Sequence, residues 1–272
     1  MLFRKMMKAG ASVVALGAAL VCAPHMASAH FQLVYVTDAN LEKPGDVPVQ
    51  LIFWHPFELG PVMAMGQPQE FYAVHRGKKL DLKPSLKAFS FRAGDTEAQA
   101  WEGVLPVKRP GDYVLVVVPA PYLEGSEDIY IQQIAKSYVS LRQLPTDWSE
   151  PQGLVTEIVP LNRPTNIIAG STFTGRVLSE GKPVPGVEVE VEYMAAEPLP
   201  GEKKAAEPKA ASMPGGAVVA ITNANGEFTF GVPKAGYWGF AALGSGPEKT
   251  HDGKELSQDA VIWIRADDMP QP

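Results

Sequence analysis

The sequence predicts an all-β protein in which two β-sandwich domains follow a cleaved signal peptide. Three observations carry this. The 25 prolines and 25 glycines among 272 residues are scattered rather than periodic. Long amphipathic helical stretches are scarce, and short runs rich in β-branched and aromatic residues recur between turn residues.

Residues 1–29 read as an export signal. Arg4, Lys5 and Lys8 form a basic start without acids, an apolar run covers residues 9–23, and Ala27-Ser28-Ala29 is a small-x-small cleavage triplet. The run is too short to span a bilayer, and no second stretch approaches that length. Val21 stands before Cys22 where a lipobox wants Gly or Ala, which argues against a lipoprotein. Cleavage after Ala29 makes His30 the first residue of a periplasmic chain.

Processing narrows the available chemistry. The mature chain has 21 basic and 30 acidic residues, a net charge of −9. That balance argues against nucleic acid and anionic membrane surfaces and suits the attraction of cations. Cys22 leaves with the signal, which removes disulfides, thiolate nucleophiles and thiolate ligands. The remaining donors are imidazole, amine, carboxylate and thioether, a set suited to nickel, cobalt, copper or zinc.

Residues 30–145 form the expected first sandwich and carry the metal site. Its strands are 31–37 and 47–54, joined by a polar connection with Pro44-Gly45, then 71–75, 100–107, 112–118 and 129–141, the last long enough to bend or include helix. Residues 146–167 read as a linker. Residues 168–268 form the second sandwich, with strands at 171–179, 187–193, 227–232, 237–243 and 259–265. Val187, Val189, Val191 and Tyr193 alternate with Glu188, Glu190 and Glu192, so the glutamates are expected on a solvated face. A polar insertion, 194–216, interrupts this domain without a core of its own.

The histidines carry the functional expectation. If strands 31–37 and 47–54 pair as a simple antiparallel hairpin, opposed residue numbers sum to about 85, which sets His30 opposite His55. Opposed Cβ atoms lie roughly 4.5–5.5 Å apart, close enough for two imidazoles and the α-amine of His30 to share one ion. Pro56 stops the strand just beyond, at an accessible sheet end. A one-residue slip would separate the pair. His55 alone reads more readily as an inert strand-end residue; an N-terminal histidine shifts the balance toward metal. Met63 and Met65 either offer thioethers to copper(I) or pack in the core. Glu58 is a carboxylate donor or a solvated turn residue, and His251, beside Asp252 in a Gly-rich loop, is a remote donor. His75, followed by Arg76, Lys78 and Lys79, is expected at the surface, away from any cation. No nucleophile elbow, phosphate loop, dinucleotide glycine pattern or metalloprotease helix is present, so no enzymatic activity is expected.

Several segments carry a family likeness: Ala29-His30-Phe31, His55-Pro56-Phe57-Glu58, the stretch from Ser126 to Gln133, and the stretch from Thr156 to Leu161. Gly181-Lys182-Pro183-Val184-Pro185, Ala224-Asn225-Gly226, the stretch from Gly236 to Leu243 and the stretch from Asp259 to Trp263 continue it. Across nearly all of the mature length the chain resembles the periplasmic component of cobalt/nickel ABC-type (energy-coupling-factor) uptake systems, a family also carried as the DUF4198 domain of unknown function. The C-terminal half also resembles the carboxypeptidase-regulatory-like, Ig/prealbumin-like β-sandwich. The resemblance implies capture of Ni2+ or Co2+ as transported cargo and delivery to a membrane permease, with His30 and His55 as ligands. Glu58, Met63, Met65 and His251 are additional candidates. Similar sequences often carry another histidine before the Met-x-Met segment, where this chain reads Gly60-Pro61-Val62; a carboxylate, a methionine or water is left to fill that place. Imidazole and amine bind metal only when deprotonated. With reference pKa values of about 6.5 and 7.7–8.0, affinity is expected to fall as pH drops through that range. The alternatives are a copper-binding periplasmic chaperone, an oxidative metalloenzyme using an N-terminal histidine brace, and a scaffold module that binds no metal.

Overall fold

The first two strands pair in the register that the sequence predicts. The computed structural model describes residues 31–57, 60–211 and 218–269; residues 1–29, His30 and Glu58 lie outside them. Phe31 opposes Trp54, Leu33 opposes Ile52 and Tyr35 opposes Gln50, so each pair of numbers sums to 85.

The strands of three residues or more begin with β1 (Phe31–Tyr35), β2 (Gly45–Trp54), β3 (Glu70–His75), β4 (Lys78–Asp81), β5 (Lys87–Ala93), β6 (Thr96–Val107) and β7 (Gly111–Val118). Next come β8 (Tyr122–Glu124), β9 (Ile129–Leu141), β10 (Thr156–Pro160), β11 (Thr172–Ser179) and β12 (Glu188–Tyr193). The chain ends with β13 (Val218–Ile221), β14 (Glu227–Gly231), β15 (Gly236–Ala242) and β16 (Lys254–Asp267). The all-β class is therefore as expected. Ile129–Leu141, which could have bent or turned helical, is one unbroken strand of 13 residues.

Among the described residues the strands form three sheets. The first runs β1-β2-β6-β5 and continues through Lys204–Ala205 and Pro198–Leu199. The central sheet runs β13-β12-β15-β16-β9-β7-β3-β4, and the third joins β10, β11 and β14. The two halves of the chain meet within the central sheet, where β9 and β16 pair in parallel from Tyr130 opposite Leu256 to Lys136 opposite Ile262. The stretch 146–167 carries β10 in its middle, and the 194–211 excursion adds its two short strands to the first sheet.

The middle strands of the central sheet are buried on both faces, while its edge strands β4 and β13 are largely exposed. Tyr113, Leu115 and Val117 join Phe31, Leu33 and Leu51 in one apolar core. The intervening Val114 and Val116 join Ile158, Phe173 and Phe228 in another. Two-sided burial explains why these strands are continuous apolar runs rather than alternating ones. It also corrects the expectation for the glutamates of β12. Glu188 is exposed, but Glu190 is 3 % and Glu192 6 % exposed. Their face is covered because the first sheet and the excursion pack over it; an isolated sandwich would have left it in water.

Polar groups in this interior are mostly provided for. Lys136, 1 % exposed, reaches the Glu157 carboxylate at 2.5 Å. That carboxylate also accepts the backbone N–H groups of Gln152 and Gly153 at 2.9–3.0 Å. Burial pulls the Lys136 ammonium below its usual range, against the raising influence of Glu157. Asp112 receives Arg163 at 2.9 Å.

Candidate functional site

His55 follows the last residue of β2 and is itself buried, at 3 % exposure. The chain turns sharply there because Pro56 cannot continue the ladder. Gly60 N–H donates back to the His55 carbonyl at 3.2 Å, and Trp54 Nε1 donates to the Gly60 carbonyl at 3.0 Å. The closeness requires glycine: a Cβ on residue 60 would stand 2.9 Å from His55 Cβ and 3.2 Å from its ring carbons. The imidazole is thus held against the turn by the lack of a side chain opposite it.

The C-terminal half holds the same turn from the other side. Phe57 N–H donates to Glu192 Oε1 at 2.7 Å, and Ala196 N–H donates to the Pro56 carbonyl at 3.2 Å. The Phe57 ring meets Tyr193 edge-on at 5.9 Å. Glu192 lies opposite Gly239 and Glu190 opposite Ala241. A Cβ on Gly239 would stand 2.8 Å from the Trp263 ring, so that indole covers the glycine. Trp263 packs edge-on to Phe31 at 5.8 Å and donates Nε1–H to the Gln32 carbonyl. The space that Gly239 leaves is filled by this indole, while Glu192 on the paired strand β12 reaches the His55 turn through Phe57.

Glu190 stands out electrostatically. Its Oε2 has no hydrogen-bond partner. Burial, and then the nearby Asp259 and Glu188, push its carboxyl up to about 7. Asp259 is also raised, chiefly by burial, although Ser257 Oγ, Gly244 N–H and Gln133 Nε2 all donate to it.

The other sequence candidates fall elsewhere. Met63 and Met65 are 5 % and 4 % exposed and belong to the larger apolar core; Met63 N–H donates to the Phe53 carbonyl. His251 sits on a short hairpin against the edge of Tyr130, with Nε2 3.6 Å from Asp252. His30 and Glu58 lie outside the described residues. Contrary to the surface expectation, His75 is half-buried: its ring stacks on Tyr113 at 4.1 Å and its Nδ1 lies 2.9 Å from the Asp112 carbonyl. Among the described residues, no group of three His, Cys, Asp or Glu side chains is placed to hold an ion.

Sequence reasoning missed Glu192 and Glu190. The alternation within Glu188–Tyr193 gives no signal of their burial, which comes from segments packed over the strand.

A model of the DUF4198 family, a domain of unknown function, matches residues 27–246, and the chain belongs to that family. No curated protein matches it. Among solved structures, the chain is similar to the D0-D1 domain of intimin, at 12 % identity and TM-score 0.21, over 85 % of this chain and 96 % of that one. It is also similar to the Yersinia pseudotuberculosis adhesin InvE, at 12 % identity and TM-score 0.23, over 85 % and 58 % of the two chains. The fibronectin(III)-like modules of Clostridium thermocellum CbhA match at 8 % identity and TM-score 0.20, over 88 % and 100 %. Similarity at this level carries no functional argument.

Proposed function

We propose that the protein is a periplasmic carrier that captures a divalent nickel or cobalt ion and passes it to a membrane permease. The observation that supports this most is the β1–β2 register. Opposed numbers sum to 85 along the whole described pairing, and the same register carried one step further would set residue 30 against His55. Export with cleavage after Ala29 would then place the α-amine and imidazole of His30 beside a buried, sterically fixed His55 imidazole. The family resemblance noted in the sequence points the same way. Nitrogen donors with a carboxylate suit borderline divalent ions. Met63 and Met65 are core residues, so the reading rests on nitrogen and oxygen donors rather than thioethers. An incomplete shell at a strand end would let a permease donor enter and exchange, which is the chemistry of a carrier rather than of a catalyst.

The test has two parts. Mass determination of the exported chain is expected to give His30 as its first residue. Calorimetric titration of that mature protein with Ni2+, Co2+, Cu2+ and Zn2+ is expected to give one site that His55→Ala weakens by at least about tenfold. A different N-terminus, or unchanged affinity after His30→Ala, would overturn the proposal.

A further inference from the structure

The first sheet carries a cleft away from the His55 turn, and its floor follows from strand register. Gln50 on β2 lies opposite Glu102 on β6, and Glu102 lies opposite Lys87 on β5. Directly opposed residues point to one face of a sheet, so three polar side chains stand in one row across three strands. Two residues along, Pro48 opposes Val104 on that same face. The other face, with Val49, Leu51 and Leu105, belongs to the larger apolar core. These five residues and Pro200, from the 194–211 excursion, line a cleft of about 240 Å3.

The polar groups of this row are unspent. Gln50 is 2 % exposed, and neither its Nε2 nor its Oε1 has a hydrogen-bond partner. A buried amide in that condition bears the full cost of its desolvation, which is why such groups are nearly always bonded. Among the described residues, the neighbouring Lys87 ammonium and Glu102 carboxylate are not taken up by an ion pair or hydrogen bond either. Ser85, at the end of the cleft, is by contrast engaged: its Oγ accepts the Val104 N–H at 3.1 Å and donates to the Leu82 carbonyl at 2.7 Å.

We propose that this cleft binds a small zwitterion, of the class of free α-amino acids and short peptides. Lys87 takes the carboxylate and Glu102 the ammonium, while the Gln50 amide, donor and acceptor on one group, serves both ends. An anion alone would meet Glu102, and a cation alone would meet Lys87; only a ligand with both charges suits the row. Pro48, Val104 and Pro200 give its side chain an apolar surface to rest on. The volume lies below the roughly 300–1,000 Å3 of sites for drug-sized ligands, which restricts the ligand to a small one. None of these residues belongs to the His55 turn, so the proposal stands or falls independently of the carrier reading.

The test titrates the purified protein with L-leucine and with L-alanyl-L-leucine while the NMR signals of the Gln50 side-chain amide are followed. At least one of the two is expected to shift them saturably. N-acetyl-L-leucine amide, which keeps the apolar side chain and lacks both charges, is expected to bind at least about tenfold more weakly. Gln50→Leu removes the unpartnered amide, so the thermal midpoint is expected to hold or rise while affinity falls at least about tenfold. If neither zwitterion gives a saturable shift, the proposal is overturned and ordered water is what serves Gln50. Equal binding of the blocked amide would overturn the zwitterion class, and unchanged affinity in Gln50→Leu would place the binding elsewhere and overturn the site. Should that variant fail to fold, Lys87→Gln, at an exposed position, makes the same comparison, and unchanged affinity there overturns the proposal as well.

Discussion

Glu157 and Glu190 are equally hidden from water, at 2 % and 3 % exposure, yet the fold provides for them differently. Glu157 faces an ammonium and two backbone N–H groups. Glu190 keeps one oxygen with no partner, and its carboxyl group is pushed up by burial and by two neighbouring acids. The first arrangement is self-contained and fastens the 152–157 segment to the central sheet. The second leaves a cost in place, and that cost sits on the strand that clasps the His55 turn. A fully satisfied buried charge marks architecture; an unsatisfied one marks a place where something other than the fold is at work.

The largest expected effect comes from breaking the satisfied arrangement. Lys136→Ala leaves Glu157 charged and without its ammonium partner in the interior, at a cost of about 3–5 kcal/mol in chemical denaturation. Pairing Lys136→Met with Glu157→Leu is expected to recover part of that loss. Recovery stays incomplete because the Gln152 and Gly153 N–H groups then lose their acceptor. A single-site loss below about 1 kcal/mol would show that water reaches the pair and that the contrast with Glu190 is false.

This contrast also shows where sequence reading reaches its limit. The β1–β2 hairpin was legible because its apolar runs, its Pro44-Gly45 turn and its Pro56 stop all lie within one short stretch. The strand positions at 112–118 and 129–141 were legible for the same local reason. The burial of Glu190 and Glu192 was not. Their strict alternation with Val189, Val191 and Tyr193 is what a half-solvated strand shows, and part of the covering layer, the Phe57 turn, comes from 135 residues away. The clasp from Glu192 to Phe57 spans 135 residues and leaves no pattern at either end. His55 was visible as a residue type at a strand end, but its confinement by Gly60 depends on a turn conformation that the sequence did not define.

An intermediate effect is expected at Glu190, and its sign follows from the direction of the shift. In metal-free protein the folded carboxyl titrates at about 7 against an ordinary value of 4.5. Below pH 4.5 the group is protonated in both folded and unfolded chains and costs nothing. Between 4.5 and 7 the unfolded chain ionises first, so stability falls as pH rises, and above 7 the loss is complete. Glu190→Gln is therefore expected to stabilise metal-free protein at pH 8 by on the order of 2 kcal/mol and to flatten the stability profile between pH 4.5 and 7. Urea denaturation at pH 5 and pH 8 measures both. A glutamine variant less stable than wild type at pH 8 would mean that the ionised carboxylate has a favourable environment, and the comparison with Glu157 would lose its basis.

The smallest effect belongs to a carboxylate that the fold does not bury. Glu70 meets Lys79 at 2.6 Å, with the two side chains 51 % and 55 % exposed. Its geometry is as close as that of the Lys136 pair, so distance alone would rank the two together. Solvent decides otherwise: water and salt screen an exposed pair, and holding two long side chains in one arrangement costs conformational entropy. Lys79 also lies 3.8 Å over the Tyr72 ring, a contact that survives the loss of the carboxylate. Glu70→Gln is thus expected to change stability by less than about 0.5 kcal/mol, and less still at high salt. A salt-insensitive loss comparable to that of Lys136→Ala would show that burial does not separate these carboxylates, and that contact distance is the better guide to which charges this protein depends on.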